Sequence, residues 1–166
     1  ITVVAATTNS IGITTNNGMV TDNTGSITVN ASALTSTSAA LTFVSGENST
    51  ATINVTGGAG NDSITAGTEK SNFTGGSGSD NFIFTSAQLT LDDTISGGLG
   101  NDTITISDAS TVVDADFTNV TSVEFMTEGA SGGAQTITLG ALANASGLTR
   151  ITGNGSGVDT VTVGAG

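Results

Sequence analysis

The chain has 166 residues, enough for one domain with a real core, and carries 14 Asp and Glu against 2 Lys and Arg, a net charge of −12. Only Lys70 and Arg150 are basic, so no cationic patch exists to grip phosphates; nucleic acid is excluded as a partner, whereas cationic metals suit the charge. His, Cys, Pro, Trp and Tyr are all absent, which removes the ordinary zinc and copper ligands, disulfides, thiol catalysis and any Ser-His-Asp arrangement.

Threonine outnumbers even the 24 glycines, a composition that reads as β-structure joined by tight turns. The first residues, Ile1 to Ser10, carry neither a charged n-region nor an initiator Met, so no signal peptide is read there and the chain is expected to be a piece of something longer. Short β-branched runs follow at Ile27–Val29, Leu41–Val44 and Ile53–Val55, with a wide Ala/Ser-rich loop over residues 31–40. Beyond the centre come Thr111–Val113, Val123–Met126, Thr136–Leu139, Arg150–Thr152 and Thr160–Val163, with a second wide loop at 141–146 that has room for a helical turn. Apolar and hydroxyl residues alternate in most of these runs, the period-2 pattern of strands with one dry face. No apolar run approaches the ~18 residues of a membrane helix, so no membrane insertion is expected. Triplets such as Asn48-Ser49-Thr50 and Asn119-Val120-Thr121 fit the glycosylation pattern, as chance allows in so Asn- and Thr-rich a chain. No Pro-rich or charged linker divides the sequence, which reads as one continuous domain with flanks at 1–56 and 107–166 around a centre at 57–106.

That centre is repetitive. Gly57–Thr65, Gly75–Ile83 and Gly97–Thr105 all fit G-G-x-G-x-D-x-U-x, where U is a large apolar residue. The first two begin 18 residues apart, two nonapeptides, and the third follows after 22. Between them lie degenerate nonapeptides that keep Phe73 at the U position and, further on, Asp93 and Ile95 at the Asp and U positions. If two nonapeptides make one coil, as the family resemblance given below implies, full loops stack along one edge and degenerate loops along the other. Ile64, Phe82 and Ile104 should then form one internal ladder, with Phe73 and Ile95 on the facing sheet. The flanking run spacing also permits a β-sandwich, but continued parallel coils agree better with the centre.

These nonapeptides resemble the calcium-binding repeats-in-toxin (RTX) family. The resemblance covers residues 57–106, with an echo at Asn154–Thr162 that departs only at its first position. It implies an all-β, right-handed parallel β-roll or β-helix solenoid with Ca²⁺-binding turns, six residues of each repeat turning and three forming a strand. It places the ligand loops at Gly57–Asp62, Gly75–Asp80 and Gly97–Asp102. One Ca²⁺ would lie between the first two loops with Asp62 and Asp80 as carboxylates, another between the second and third with Asp80 and Asp102. Carbonyls of Gly57, Ala59, Gly60, Gly75, Gly76, Ser77, Gly78, Gly97, Gly98, Leu99 and Gly100 would complete them.

The chemistry is sound on its own terms. Ca²⁺ takes about 6–8 oxygens, so a turn must aim several carbonyls at one point, and glycine allows the backbone to bend that way. The alternative is a set of Gly-rich turns with solvated Asp, which three motifs in register argue against. Asp159, in the fourth repeat, is a further calcium candidate, although no partner loop stands 18 residues away. Asp92 and Asp93 read as turn carboxylates, and Asp108, Asp114 and Asp116 as acids on a loop. Residues 117–124 are similar to a segment that follows such repeats in large bacterial surface proteins, but are read here as an ordinary loop-and-strand coil.

No catalytic residues are assigned, because no carboxylate pair stands apart from the repeats. The expected function is a calcium-stabilised structural or assembly module of a secreted bacterial cell-surface protein, of surface-layer (S-layer) or matrix type. Its partners would be calcium ions, further copies or neighbouring domains, and cell-surface polysaccharide. The alternatives are an adhesin or ligand-binding module for ice or polysaccharide, suggested by Thr-x-Thr at 103–105, 136–138 and 160–162, and a non-catalytic tail of a secreted enzyme.

Overall fold

The computed structural model describes residues 9–16, 25–46, 51–109, 111–129, 133–153, 155 and 157–164. The triplet at 48–50, Asn154 and Ser156 of the fourth repeat, and the first eight residues lie outside this set. In chain order the strands are β1 (Ile11–Thr14), β2 (Ser26–Asn30), β3 (Leu41–Val44), β4 (Thr52–Thr56) and β5 (Ser63–Thr65). They continue as β6 (Lys70–Ser77), β7 (Asn81–Phe84), β8 (Thr94–Leu99), β9 (Thr103–Ile106) and β10 (Thr111–Val112). The last are β11 (Val120–Thr121), β12 (Phe125–Glu128), β13 (Thr136–Leu139), β14 (Arg150–Thr152) and β15 (Thr160–Val163). A 3-10 turn spans Asp114–Phe117, and helix α1 (Ala141–Ala145) occupies the second wide loop.

Up to β9 alternate strands join alternate walls, and between β9 and β12 the coil contributes β10 and β11 to two different sheets; the chain is a β-solenoid. One wall is a seven-stranded sheet in the order β1-β3-β5-β7-β9-β12-β14. The facing wall is a five-stranded sheet, β11-β8-β6-β4-β2, and a three-stranded sheet, β10-β13-β15, begins in the coil where that wall ends. Every pairing is parallel, so the sandwich alternative is set aside. The ladders run unbroken past residues 56 and 106, through β4–β6 and β9–β12.

Period-2 alternation decides what the walls enclose. Along the seven-stranded sheet, Ile13, Phe43, Ile64, Phe82, Ile104, Met126 and Ile151 stack in register. Opposite them stand Val29, Val55, Phe73, Ile95 and Val120. The two ladders expected at the centre are therefore present and extend into both flanks. Phe73 ties the walls together, with its ring 6.5 Å from Phe43, 6.5 Å from Phe82 and 5.9 Å from Phe84. The expected strand at Val123–Met126 begins later, because pairing with β9 opens at Phe125 opposite Thr103 and leaves Val123 buried in the preceding turn. β1 gave no clear strand signal, since Gly12 interrupts its two isoleucines.

Candidate metal centre

Each repeat Asp sits at the corner where a glycine turn enters a strand of the seven-stranded wall. Asp62, Asp80 and Asp102 are 2%, 1% and 0% exposed. They are linked vertically: Asp62 donates its backbone N–H to Asp80 Oδ1 at 2.7 Å, and Asp80 donates to Asp102 Oδ1 at 2.8 Å. Leu41 donates to Asp62 Oδ1 at 2.7 Å below, and Asp102 donates to Glu124 Oε2 at 2.8 Å above. The result is a column of four carboxylates, one per coil, each clamping the amide of the coil before it. Parallel coils repeat at about 4.8 Å, so like charges stand close together out of water.

The second carboxylate oxygens differ. Asp62 Oδ2 accepts the Gly58 N–H at 2.7 Å. Asp80 Oδ2 and Asp102 Oδ2 are buried and accept no hydrogen bond. This difference follows the backbone: Gly76 and Gly98 adopt φ of 116° and 108°, and Gly78 and Gly100 φ of 112° and 138°, whereas Gly58 and Gly60 are outside that left-handed region. A Cβ on Gly75 would overlap Asp80 Oδ2 and lie 2.6 Å from the Gly97 carbonyl oxygen. On Gly57 it would overlap Asp62 Oδ2 and the Gly75 carbonyl oxygen. Glycine thus lets the Asp carboxylate and the carbonyl of the next coil approach the turn backbone closely.

Burial drives the electrostatics. It pushes the Asp80 carboxyl up to about 7; the N–H from Asp62 opposes the rise, and the charges of Asp62 and Asp102 add to it. Asp62 and Asp102 are raised for the same first reason, desolvation, with Glu124 contributing at Asp102. Each buried carboxylate therefore favours a proton or a cation. The fit is to a hard cation, since the donors are all oxygen: the two orphaned Oδ2 atoms and the adjoining glycine carbonyls. Among the described residues no three His, Cys, Asp or Glu side chains form a group that could hold a metal ion, so an ion held here would need backbone carbonyls as well.

The remaining loop positions serve the backbone ladder. Ala59 donates to Leu34 O at 2.8 Å, Ser77 to Gly58 O at 2.9 Å, and Gly78 to Leu99 O at 2.8 Å, while the Leu99 side chain is 73% exposed. A Cβ on Gly60 would overlap the Ala39 carbonyl oxygen, and one on Gly100 the Gly78 carbonyl oxygen, so these glycines permit close coil stacking. Asp159 does not join the column. It accepts the Gln135 N–H at 3.1 Å and faces the position of a Gly153 Cβ together with Glu128.

Several acids left as loop residues turn out to be clamps of the same kind. Asp93 accepts the Ser71 N–H, and Asp108 the Ser86 N–H, both at 2.7 Å and both 22 residues on. Asp114 accepts N–H groups from Gly140, Leu142 and Ala143 at the start of α1. These three donors outweigh desolvation and lower its carboxyl below the usual range. Glu124 was missed as a column member because its coil lacks the glycine pair. The available signal was spacing, since 22 residues separate Asp80 from Asp102 and Asp102 from Glu124.

Comparison with family models, curated proteins and solved structures found no match to this chain.

Proposed function

We propose that the chain is a calcium-stabilised structural and assembly module of a secreted bacterial surface protein, of S-layer or extracellular matrix type, built from RTX-like repeats. The observation that carries this reading is the buried Asp80 Oδ2, which accepts no hydrogen bond while its carboxyl stands between those of Asp62 and Asp102. Calcium bound beside Asp62 and Asp80 would supply positive charge and oxygen coordination that the protein itself lacks at this corner. Asp62 and Asp80 would supply carboxylate oxygens, and Gly75 and Gly97, whose carbonyls lie close beside them, would supply carbonyl oxygens. Without that charge the acidic column strains the coils apart. With it the turns close, so folding and metal uptake are one event. Calcium near millimolar, as outside cells, matches the affinity range of extracellular modules.

The sheet edges support the assembly part of this reading. Strands β14 and β15 end their sheets, and Val158, Val161 and Val163 are 83%, 47% and 75% exposed there. Such an edge offers backbone groups and apolar surface to another copy or to a neighbouring domain. The test is circular dichroism and sedimentation in EGTA and across a calcium series. A gain of β-signal, a higher melting temperature and calcium-dependent association are expected. Identical spectra, stability and mass in both conditions would sink the reading.

A ligand-binding module for ice or polysaccharide is the second reading, and one observation favours it. Two Thr-x-Thr runs stack in register, Thr136 on Thr160 and Thr138 on Thr162, and all four side chains are exposed. Thr111 extends the first column by one step. Replacing Thr138 and Thr162 by Val and measuring ice recrystallisation and glycan binding tests it; activity that is absent before substitution rejects it.

A further inference from the structure

The coil after the last glycine motif carries no Gly-Gly pair, yet it closes the top of the carboxylate column. Its Ser122 follows β11 and is the one non-glycine among the described residues with positive φ, 53°. A Cβ built on Gly97 would overlap both the Ser122 carbonyl oxygen and Asp102 Oδ2. The two oxygens therefore lie close to one another beside Gly97, as Gly97 O and Asp80 Oδ2 do beside Gly75 one coil below. Asp102 is 0% exposed, and its Oδ2 accepts no hydrogen bond. Glu124 stands two residues beyond Ser122, its Oε2 accepting the Asp102 N–H at 2.8 Å and its charge adding to the column.

Resting on the calcium reading above, we propose a further cation position between Asp102 and the Ser122–Glu124 segment, taking a hard divalent ion such as Ca²⁺ on Asp102 Oδ2 and the Ser122 carbonyl oxygen. This position lies outside the nonapeptide pattern. Ser122 follows Thr121 as Gly97 follows Ser96 in the paired strand, and it presents its carbonyl over Gly97 as Gly97 does over Gly75, but from a left-handed backbone that neither glycine adopts. Glu124 replaces the next repeat Asp as amide clamp and as negative charge. The column thus ends in a site assembled by one full loop and one loop that the motif does not describe.

Equilibrium dialysis of the intact chain against radioactive Ca²⁺ at saturation counts bound ions, with circular dichroism of each variant as the folding control. Ser122→Gly, which accepts positive φ freely, should bind as many ions as the unchanged chain. Ser122→Val, whose branched Cβ opposes that conformation, should bind one ion fewer per chain. Glu124→Gln keeps an acceptor for the Asp102 N–H but loses the charge, and should weaken one class of site by about tenfold or more. If Ser122→Val does not fold, Glu124→Gln decides alone. Calcium binding by the unchanged chain, with number and affinity preserved in the folded variants, would overturn this position and leave the loop-to-loop ions standing. An unchanged chain that binds no calcium would overturn both.

Discussion

The backbone N–H of Asp62 points at Oδ1 of Asp80 across 2.7 Å, and both residues are buried. A residue usually read as a metal ligand is here also a hydrogen-bond acceptor that sets the stacking of two coils. The observed role and the proposed one fall to different oxygens of the same carboxylate. Oδ1 is committed to the neighbouring amide, and Oδ2 is left for a cation or a proton.

The first prediction separates these roles. Asp80→Asn keeps an oxygen for the Asp62 amide but removes the charge beside Gly97, so calcium-induced folding should weaken. Asp62→Asn should weaken it less, because Asp62 Oδ2 already accepts the Gly58 N–H at 2.7 Å. Asp80→Ala should in addition cost about 1–3 kcal/mol without calcium, by leaving the buried Asp62 amide unpaired. Calorimetric calcium titration and urea unfolding measure both effects; equal calcium responses for the two Asn variants would contradict the assignment.

The second concerns pH. The Asp80 carboxyl lies near 7 in the fold against an ordinary 3.8, so between these values the folded chain holds a proton that the unfolded chain has released. Its contribution to stability is full below the ordinary value, falls as pH rises, and is gone above about 7. In EGTA the melting temperature should therefore be higher near about pH 5 than near about pH 7.5. Calcium competes with that proton, so in millimolar calcium the order should reverse. A melting temperature independent of pH over this range in EGTA would refute the column's burial.

A third tests the glycine spaces. Gly75→Ala places a methyl against Asp80 Oδ2 and 2.6 Å from Gly97 O, so it should destabilise by about 3 kcal/mol or more and abolish one calcium position. Gly12→Ala meets nothing within 4 Å and should change stability by less than about 1 kcal/mol. Thermal unfolding of the two variants side by side gives the comparison. Tolerance of alanine at both positions would mean that the turn has room to spare.

The fourth addresses the core. Phe73 is 1% exposed and touches three other rings. Phe73→Ala should cost about 3–5 kcal/mol by opening a cavity between the two walls. The loss should appear with and without calcium, since no metal oxygen is removed. A deficit confined to calcium-free protein would show that the ion, not the aromatic contact, holds the walls together.

How much of this was legible beforehand depends on whether the information was local. The resemblance of the nonapeptides implied parallel coils, and the 18- and 22-residue steps then placed Ile64, Phe82 and Ile104 in one ladder and Phe73 with Ile95 in the other, as the structure pairs them. These follow from a repeat because each coil must place its apolar residue over the last one. The repeat Asp residues were legible for the same reason. What only the tertiary structure decided is where each oxygen points and what it meets: that Oδ1 of Asp80 is spent on an amide one coil away, that Asp62 is satisfied by Gly58 while Asp80 and Asp102 are not, and that Glu124 continues the column. Those facts depend on backbone angles at Gly76, Gly98 and Ser122 and on contacts between residues about twenty positions apart. A motif records residue types at fixed offsets; a lone pair is satisfied or orphaned only when the coils are stacked.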